Sequence, residues 1–365
     1  MINKLGCSLG FSYCFGIGPI KFKALLDVFG DVEKAYFADK FSLEKIIGQK
    51  TAWRLVEFRR NFNQKNILAK LKTGGITVLS QEDNRYPNQL KNIPDPPICL
   101  YIKGKIDEIN FNREKNFPFF AVVGTRKPTA YGQQIARMFV SQLASLGFVI
   151  VSGMAAGIDT IAHETTIESG SLTVAVLGCG VDIIYPSQNT YLYQKIVDGA
   201  GLVVSEFPPG HTVAPGLFIA RNRIISGLSK GVMVIEGLKD SGSLITARFA
   251  VEQGREVFAP PSPLTSNMSQ APNSLIKQGA KLVMTVDDIL EEFNLKIMPG
   301  RKKQPAIDLS NDEKIIFEKI AVEPQSCDEL TLVTGLSINK VLDILSRLEI
   351  KGAVEKNCEG KYQSR

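Results

Sequence analysis

Seven short runs between residues 119 and 284 constrain this chain more than any other feature. They fall at 119–123, 148–152, 173–177, 201–205, 232–236, 256–259 and 281–284, rich in Val and Ile and mostly apolar throughout. A strand that faces water on one side alternates apolar and polar residues, whereas a strand covered on both faces does not. Helix-length segments lie between most of the runs. That order of elements predicts a parallel, doubly wound α/β sheet. In such sheets ligands bind beyond the carboxyl ends of the strands.

The most unusual residues of the chain fall at those ends. The first run breaks at Gly124 into the basic loop Thr125-Arg126-Lys127-Pro128, and residues 132–146 then repeat apolar positions at one-face helical spacing. Two readings are open. A glycine, two cations and a helix N-terminus together hold a phosphate, or the stretch is an ordinary strand-to-helix turn with solvated charges. The second run ends in Ser152-Gly153-Met154-Ala155-Ala156-Gly157-Ile158-Asp159, the third in Gly178-Cys179-Gly180, the fourth in Glu206-Phe207-Pro208-Pro209-Gly210. The fifth leads to Asp240-Ser241-Gly242-Ser243, where a helix starts. With Arg126, Lys127, Arg221 and Arg223 among the interposed loops, this edge predicts an extended anion-binding surface.

The flanking segments differ in texture. Residues 1–75 read as a small helical domain, and Gly16-Ile17-Gly18-Pro19 before a helix is either a phosphate-contacting hairpin or a tight turn between packed helices. Residues 1–80 hold 13 Lys+Arg against 6 Asp+Glu, and the rest of the chain 30 against 31. The basic excess therefore sits at the N-terminus, as a solvated face or a surface for a polyanion. Short strands are expected at 76–79 and 98–102, a loop at 107–115, the sheet domain over 76–293 and a linker over 294–310. Residues 311–365 have the pattern of a winged helix, yet residues 305–365 carry 8 Lys+Arg and 11 Asp+Glu. Such a surface neutralises few phosphates, so a protein contact or a weak DNA contact is expected of it.

Six scattered cysteines and two histidines exclude a zinc site or a disulfide framework by spacing. No cofactor and no metal is expected. No apolar run of membrane-spanning length and no signal peptide is visible, which predicts a cytoplasmic protein. Asp240-Ser241-Gly242-Ser243 lacks the histidine of a protease triad and reads better as a helix cap. Asp159 and His163, four residues apart, form either a base with its orienting partner or a structural pair. Glu206 and Glu236 end neighbouring runs and are the carboxylates a nucleotide hydrolase would use.

Taken in order, Val123-Gly124-Thr125-Arg126, Tyr131-Gly132, Ser152 to Asp159, Ala162-His163, Tyr185-Pro186, Ser205-Glu206, Phe218, Arg221-Asn222-Arg223, Ser241 to Ala247, Asn273 and Gly279-Ala280 resemble the DNA-processing protein A family (DprA, also called Smf). The resemblance implies an extended Rossmann-like fold, no catalysis, single-stranded DNA binding, dimerisation through the Rossmann domain, and loading of a RecA-type recombinase in natural transformation. Residue by residue, it implies a phosphate contact at Arg126, a base contact at Phe218, a phosphate-lining loop at Ser152, Gly153 and Gly157, and a basic contact near Arg255. Gly124, Thr125, Lys127, Arg221, Arg223, Gly242 and Ser243 complete the expected nucleic-acid surface. The family usually has Val-Pro-Gly after the sixth run and a Gly shortly before the Asn; this chain has Pro260-Pro261-Ser262 and Ala271-Pro272-Asn273, which puts that loop's path in question. Two rival readings are a Rossmann-type nucleotide hydrolase and a winged-helix regulator of duplex DNA.

Overall fold

The structure, a computed structural model, describes residues 2–112, 118–295, 310–357 and 360–364. Contacts divide it into two units, Met1–Ile297 and Met298–Arg365. Most of the expected linker lies outside the described residues.

Six helices occupy residues 4–73: Lys4–Tyr13, Pro19–Phe29, Val32–Phe37, Lys40–Ile47, Gln49–Asn61 and Gln64–Thr73. Four begin where a polar side chain accepts a first-turn N–H: Asn3, Asp31, Asp39 and Asn63, which satisfies donors the helix itself leaves open. Their apolar faces meet around Phe11, Leu25, Leu43 and Leu55, and this core continues into Tyr101, Ala175 and Val203 of the sheet. The helical segment is thus packed onto the sheet through shared apolar burial.

The strands are β1 (Ile76–Ser80), β2 (Cys99–Gly104), β3 (Phe119–Val123), β4 (Val149–Ser152), β5 (Thr173–Val176), β6 (Gly201–Ser205), β7 (Gly231–Val234), β8 (Glu256–Ala259) and β9 (Lys281–Leu282). They form one sheet in the order β1-β2-β6-β5-β4-β3-β7-β8-β9. The neighbours from β6 through β9 all pair parallel. β1 and β2 extend that sheet by antiparallel pairing, β2 lying against β6. In β3, Phe119, Ala121 and Val123 face one core and Phe120 and Val122 face the other. Both faces are therefore dry, which is why the runs read as apolar throughout. The order reverses at β3, whose sides are taken by β4 and β7, so the topological switch point lies between the carboxyl ends of β3 and β7.

The second unit has helices Asn311–Val322, Cys327–Thr334 and Ile338–Ile350 and the hairpin β10 (Val354–Lys356) with β11 (Tyr362–Ser364). It is a winged helix. Capping boxes Ser310/Glu313 and Ser326/Glu329 start its first two helices. On the third helix of the unit, Lys340 pairs with Asp312 at 2.7 Å and Arg347 with Asp343 at 2.8 Å.

Cys7, Cys14, Cys99 and Cys179 are buried free thiols, and Cys327 is half-buried. No helix among the described residues is long and apolar enough to cross a membrane.

Gly231 opens β7 beneath an aromatic cluster. A Cβ there would lie 2.6 Å from the Phe258 ring and 2.8 Å from that of Phe293. Gly231→Ala is expected to cost about 1–3 kcal/mol by overpacking, read from the urea midpoint of unfolding.

Candidate nucleic-acid interface

A cleft of about 320 Å³ opens at the switch point, lined by the loops after β3, β4 and β7 and by the first turns of helix Leu217–Leu228. Glycines let these loops interlock. A Cβ on Gly124 would lie 2.7 Å from Ile158 and 3.1 Å from the Glu236 carbonyl. Gly157 has φ +84° and rests against the Thr125 and Arg126 backbone, a position only glycine fills without strain. Thr125 N–H donates to Glu236 O at 2.8 Å, and Ile158 N–H to Thr125 O at 3.1 Å. Held this way, the loop leaves Arg126 and Lys127 exposed at the mouth.

At the N-terminus of the helix behind the loop, Ala130–Leu146, where one reading expected a phosphate, a carboxylate of the protein itself engages the cap residue. The buried Glu236 carboxylate is already there, accepting from Thr129 N–H at 2.9 Å and Thr129 Oγ1 at 2.6 Å. Thr129 Oγ1 in turn accepts from Gly132 N–H at 3.2 Å. Gly132 has no side chain because Glu236 occupies the space one would need.

Several expected contacts are inside the protein. Ser152 is fully buried, its hydroxyl donating to Val122 O at 2.6 Å. Arg223 is 4% exposed and makes a bidentate pair with Glu206 at 2.7 and 2.9 Å while its Nε donates to Asp95 at 2.8 Å. It is a strut, and its donors are committed. Arg221 is also buried, donating to Gly153 O and Val176 O at the ends of β4 and β5; Gly153 lacks a side chain where this guanidinium lies. Arg221 still lines the cleft floor. Arg255 sits at the opposite edge of the sheet: it precedes β8 and donates to Gln89 O at 2.9 Å. Gly242 is exposed and Ser243 buried, both at the N-terminus of helix Gly242–Glu252, where Ser241 accepts from Ser243 N–H at 3.3 Å.

The charges of the floor are balanced in a particular way. Burial pulls the Arg221 pKa down to about 10, opposed by Asp159, while Arg126 pushes it down further. Two guanidinium groups thus repel across a space lined by both, and an anion placed there relieves the repulsion. Asp159 is held by Gly153 N–H at 3.2 Å and Ala155 N–H at 3.4 Å; burial lifts its carboxyl above the usual range against the pull of Arg221.

The catalytic candidates are committed to the fold. His163 is fully buried and bonds Thr173 Oγ1 at 2.7 Å rather than Asp159. Glu206 is bound to Arg223, and Glu236 caps a helix. Among the described residues no group of three or more His, Cys, Asp and Glu is placed to hold a metal ion. The loop after β8 has a defined path despite its prolines: Tyr131 Oη donates to Pro261 O, and Asn273 Nδ2 to Ser262 O at 3.1 Å.

At the mouth of the cleft the side chains form a layer. The Arg126 guanidinium lies 6.0 Å from the Phe218 ring centre, and Phe218 lies 5.3 Å from Tyr185, which is 41% exposed. Gly178 makes room for the Phe218 ring at 3.1 Å. Tyr185 was not among the expected contacts. Its sequence signals are its place with Pro186 among the family-like stretches and its position shortly after the Gly178-Cys179-Gly180 loop.

The model of the family described as DNA recombination-mediator protein A matches residues 77–294, and that of the DprA winged helix domain matches residues 300–357. The chain belongs to the DNA recombination-mediator protein A family. Protein Smf of Synechocystis sp. is 34% identical across 98% of this chain and 98% of its own length. The DNA processing protein A structure from Streptococcus pneumoniae, 32% identical, superposes with a TM-score of 0.69 over 81% of this chain and 99% of that one. That from Helicobacter pylori, 30% identical, has a TM-score of 0.53 over 60% and 95%, and that protein has a single-stranded DNA binding mode. The match to the family sheet module spans β1 through β9, so it contains every loop of the cleft.

Burial lowers the His163 pKa from 6.5 to about 3. Above pH 6.5 the imidazole is neutral in both states and pH has no leverage through it. Below that, the unfolded chain takes a proton that the folded one refuses until about pH 3, and stability falls by about 1.4 kcal/mol per pH unit. His163→Gln is expected to remove that part of the slope, read from urea unfolding across the acid range.

Proposed function

We propose that this protein binds single-stranded DNA across the switch-point cleft, without catalytic turnover, as a cytoplasmic homodimer that hands the covered strand to a RecA-type recombinase. The observation that carries the binding reading is the layer of Arg126, Phe218 and Tyr185. An exposed guanidinium neutralises a phosphate, and adjacent ring faces stack bases without selecting among them. Lys127 beside Arg126 and the buried Arg221 charge beneath them extend the positive field along the cleft. Family membership and the single-strand binding of the Helicobacter pylori relative support the same reading. Dimerisation and recombinase loading rest on family membership alone. The hydrolase reading has lost its two carboxylates, since Glu206 and Glu236 hold the fold together.

In fluorescence anisotropy with a labelled oligonucleotide, binding is expected to prefer the single strand to its duplex and to weaken steeply with salt. Arg126→Ala is expected to weaken it about tenfold and to reduce the salt slope by about one, with an unchanged melting temperature. Phe218→Ala weakens binding with less change in slope. Arg223→Ala instead lowers stability, by about 3 kcal/mol or more. Wild-type affinity for both Arg126→Ala and Phe218→Ala at moderate salt would sink the placement. Handover is read from the rate of recombinase filament growth on a strand already covered by this protein.

A further inference from the structure

We propose that the N-terminal helices carry a second platform for the single strand, in which Phe15 and Trp53 stack bases and Lys50 and Arg54 take the phosphates. This rests on the binding reading above and extends it to a surface away from the cleft. Three observations converge on it. The first is charge: residues 1–80 hold 13 Lys+Arg and 6 Asp+Glu, whereas the remaining residues are nearly balanced at 30 and 31. The second is exposure: Phe15 is 78% and Trp53 57% exposed, beside Ile20 at 74%. Large rings left in water at this density mark a surface with a partner.

The third is arrangement. Lys50, Trp53 and Arg54 lie at i, i+3 and i+4 of helix Gln49–Asn61, on one face. The Arg54 guanidinium donates to Phe15 O at 2.9 Å and lies 5.0 Å from the Phe15 ring centre. Lys21 closes the patch, donating to Gly16 O at 3.1 Å and to Thr51 Oγ1 at 2.8 Å. One face of the Phe15 ring is backed by a cation, and the side chain is largely open to solvent. An arginine laid over a phenylalanine also stands at the cleft, as Arg126 over Phe218. The positive charge around these rings selects a polyanion with stackable faces over an apolar protein helix. The platform is also tied to the cleft. Lys23 donates to Pro94 O at 3.2 Å, and the next residue, Asp95, pairs with Arg223 on the helix that carries Phe218.

Trp53 is the single tryptophan of the chain, so its emission reports on this surface alone. Full-length protein is titrated with labelled oligothymidylate, reading anisotropy and tryptophan emission together. Trp53 emission is expected to fall as the strand saturates. Trp53→Ala is expected to weaken binding about fivefold or more, and Trp53→Phe to restore it. Lys50→Gln, which leaves the rings in place, is expected to lower the salt slope by about one. Anisotropy reporting tight binding while Trp53 emission is unmoved, or while Trp53→Ala and Lys50→Gln bind as wild type, overturns the platform and leaves the cleft standing. Absence of binding by the wild-type protein in anisotropy overturns both.

Discussion

The carboxylate of Glu236 on the N-terminus of helix Ala130–Leu146 is the interaction from which the rest of the cleft is built. It joins the chain just after β7 to the chain just after β3, across the switch point. A negative charge at that position is favourable by about 0.3–1 kcal/mol, and more when partly buried. Its larger effect is geometric. With the cap residue Thr129 held by Glu236, the Gly-Thr-Arg loop is pinned by its backbone at Thr125 and Ile158. Its charged side chains are left for the outside. Gly124, Gly132 and Gly157 are consequences of that packing.

Arg221 and Arg223 show how one helix divides two tasks. They lie two residues apart, roughly 200° around the axis, and so face different surroundings. Arg223 is held by Glu206 and Asp95 and anchors the Pro94–Pro97 turn to the helix. Arg221 lies under the floor, fixed by two carbonyls, and contributes charge without reaching out. A ligand entering above it meets a field already oriented, so little reorganisation accompanies binding. The first arginine shapes the site electrostatically; the second anchors the helix that carries Phe218.

Much of this was legible in the chain itself. All seven apolar runs are strands, within two residues of their observed bounds, because burial on both faces leaves a direct mark on composition. The winged helix and the short strands at 76–80 and 99–104 likewise follow from apolar pattern and turn residues, whereas the antiparallel pairing of those strands does not. The site was less legible, for a physical reason. Residue type says that an arginine is charged, and spacing says which element bears it, but neither says which carbonyl or carboxylate it meets. Glu236 reaches Thr129 across 107 positions of sequence, and Arg223 reaches Asp95 across 128. Ser152, Arg223 and Arg255 meet partners 30, 128 and 166 positions away, which residue type and spacing do not reveal. Tyr185 stands among the family-like residues, but no contact role can be read for it in sequence, since only folding brings it to Phe218.

The thiols carry a last consequence. Burial lifts Cys7 to about 12 and Cys14 and Cys179 to about 11, and the fully buried Cys99 is lifted in the same way. At neutral pH these groups are almost entirely in the protonated form, which is a poor nucleophile. The thiols of the sheet and its N-terminal helices are therefore expected to react slowly with peroxide and disulfides, although these elements hold most of the cysteine in the described chain. A maleimide dye added to the native protein would leave the cleft unlabelled, with half-buried Cys327 in the winged-helix unit as the more accessible described thiol.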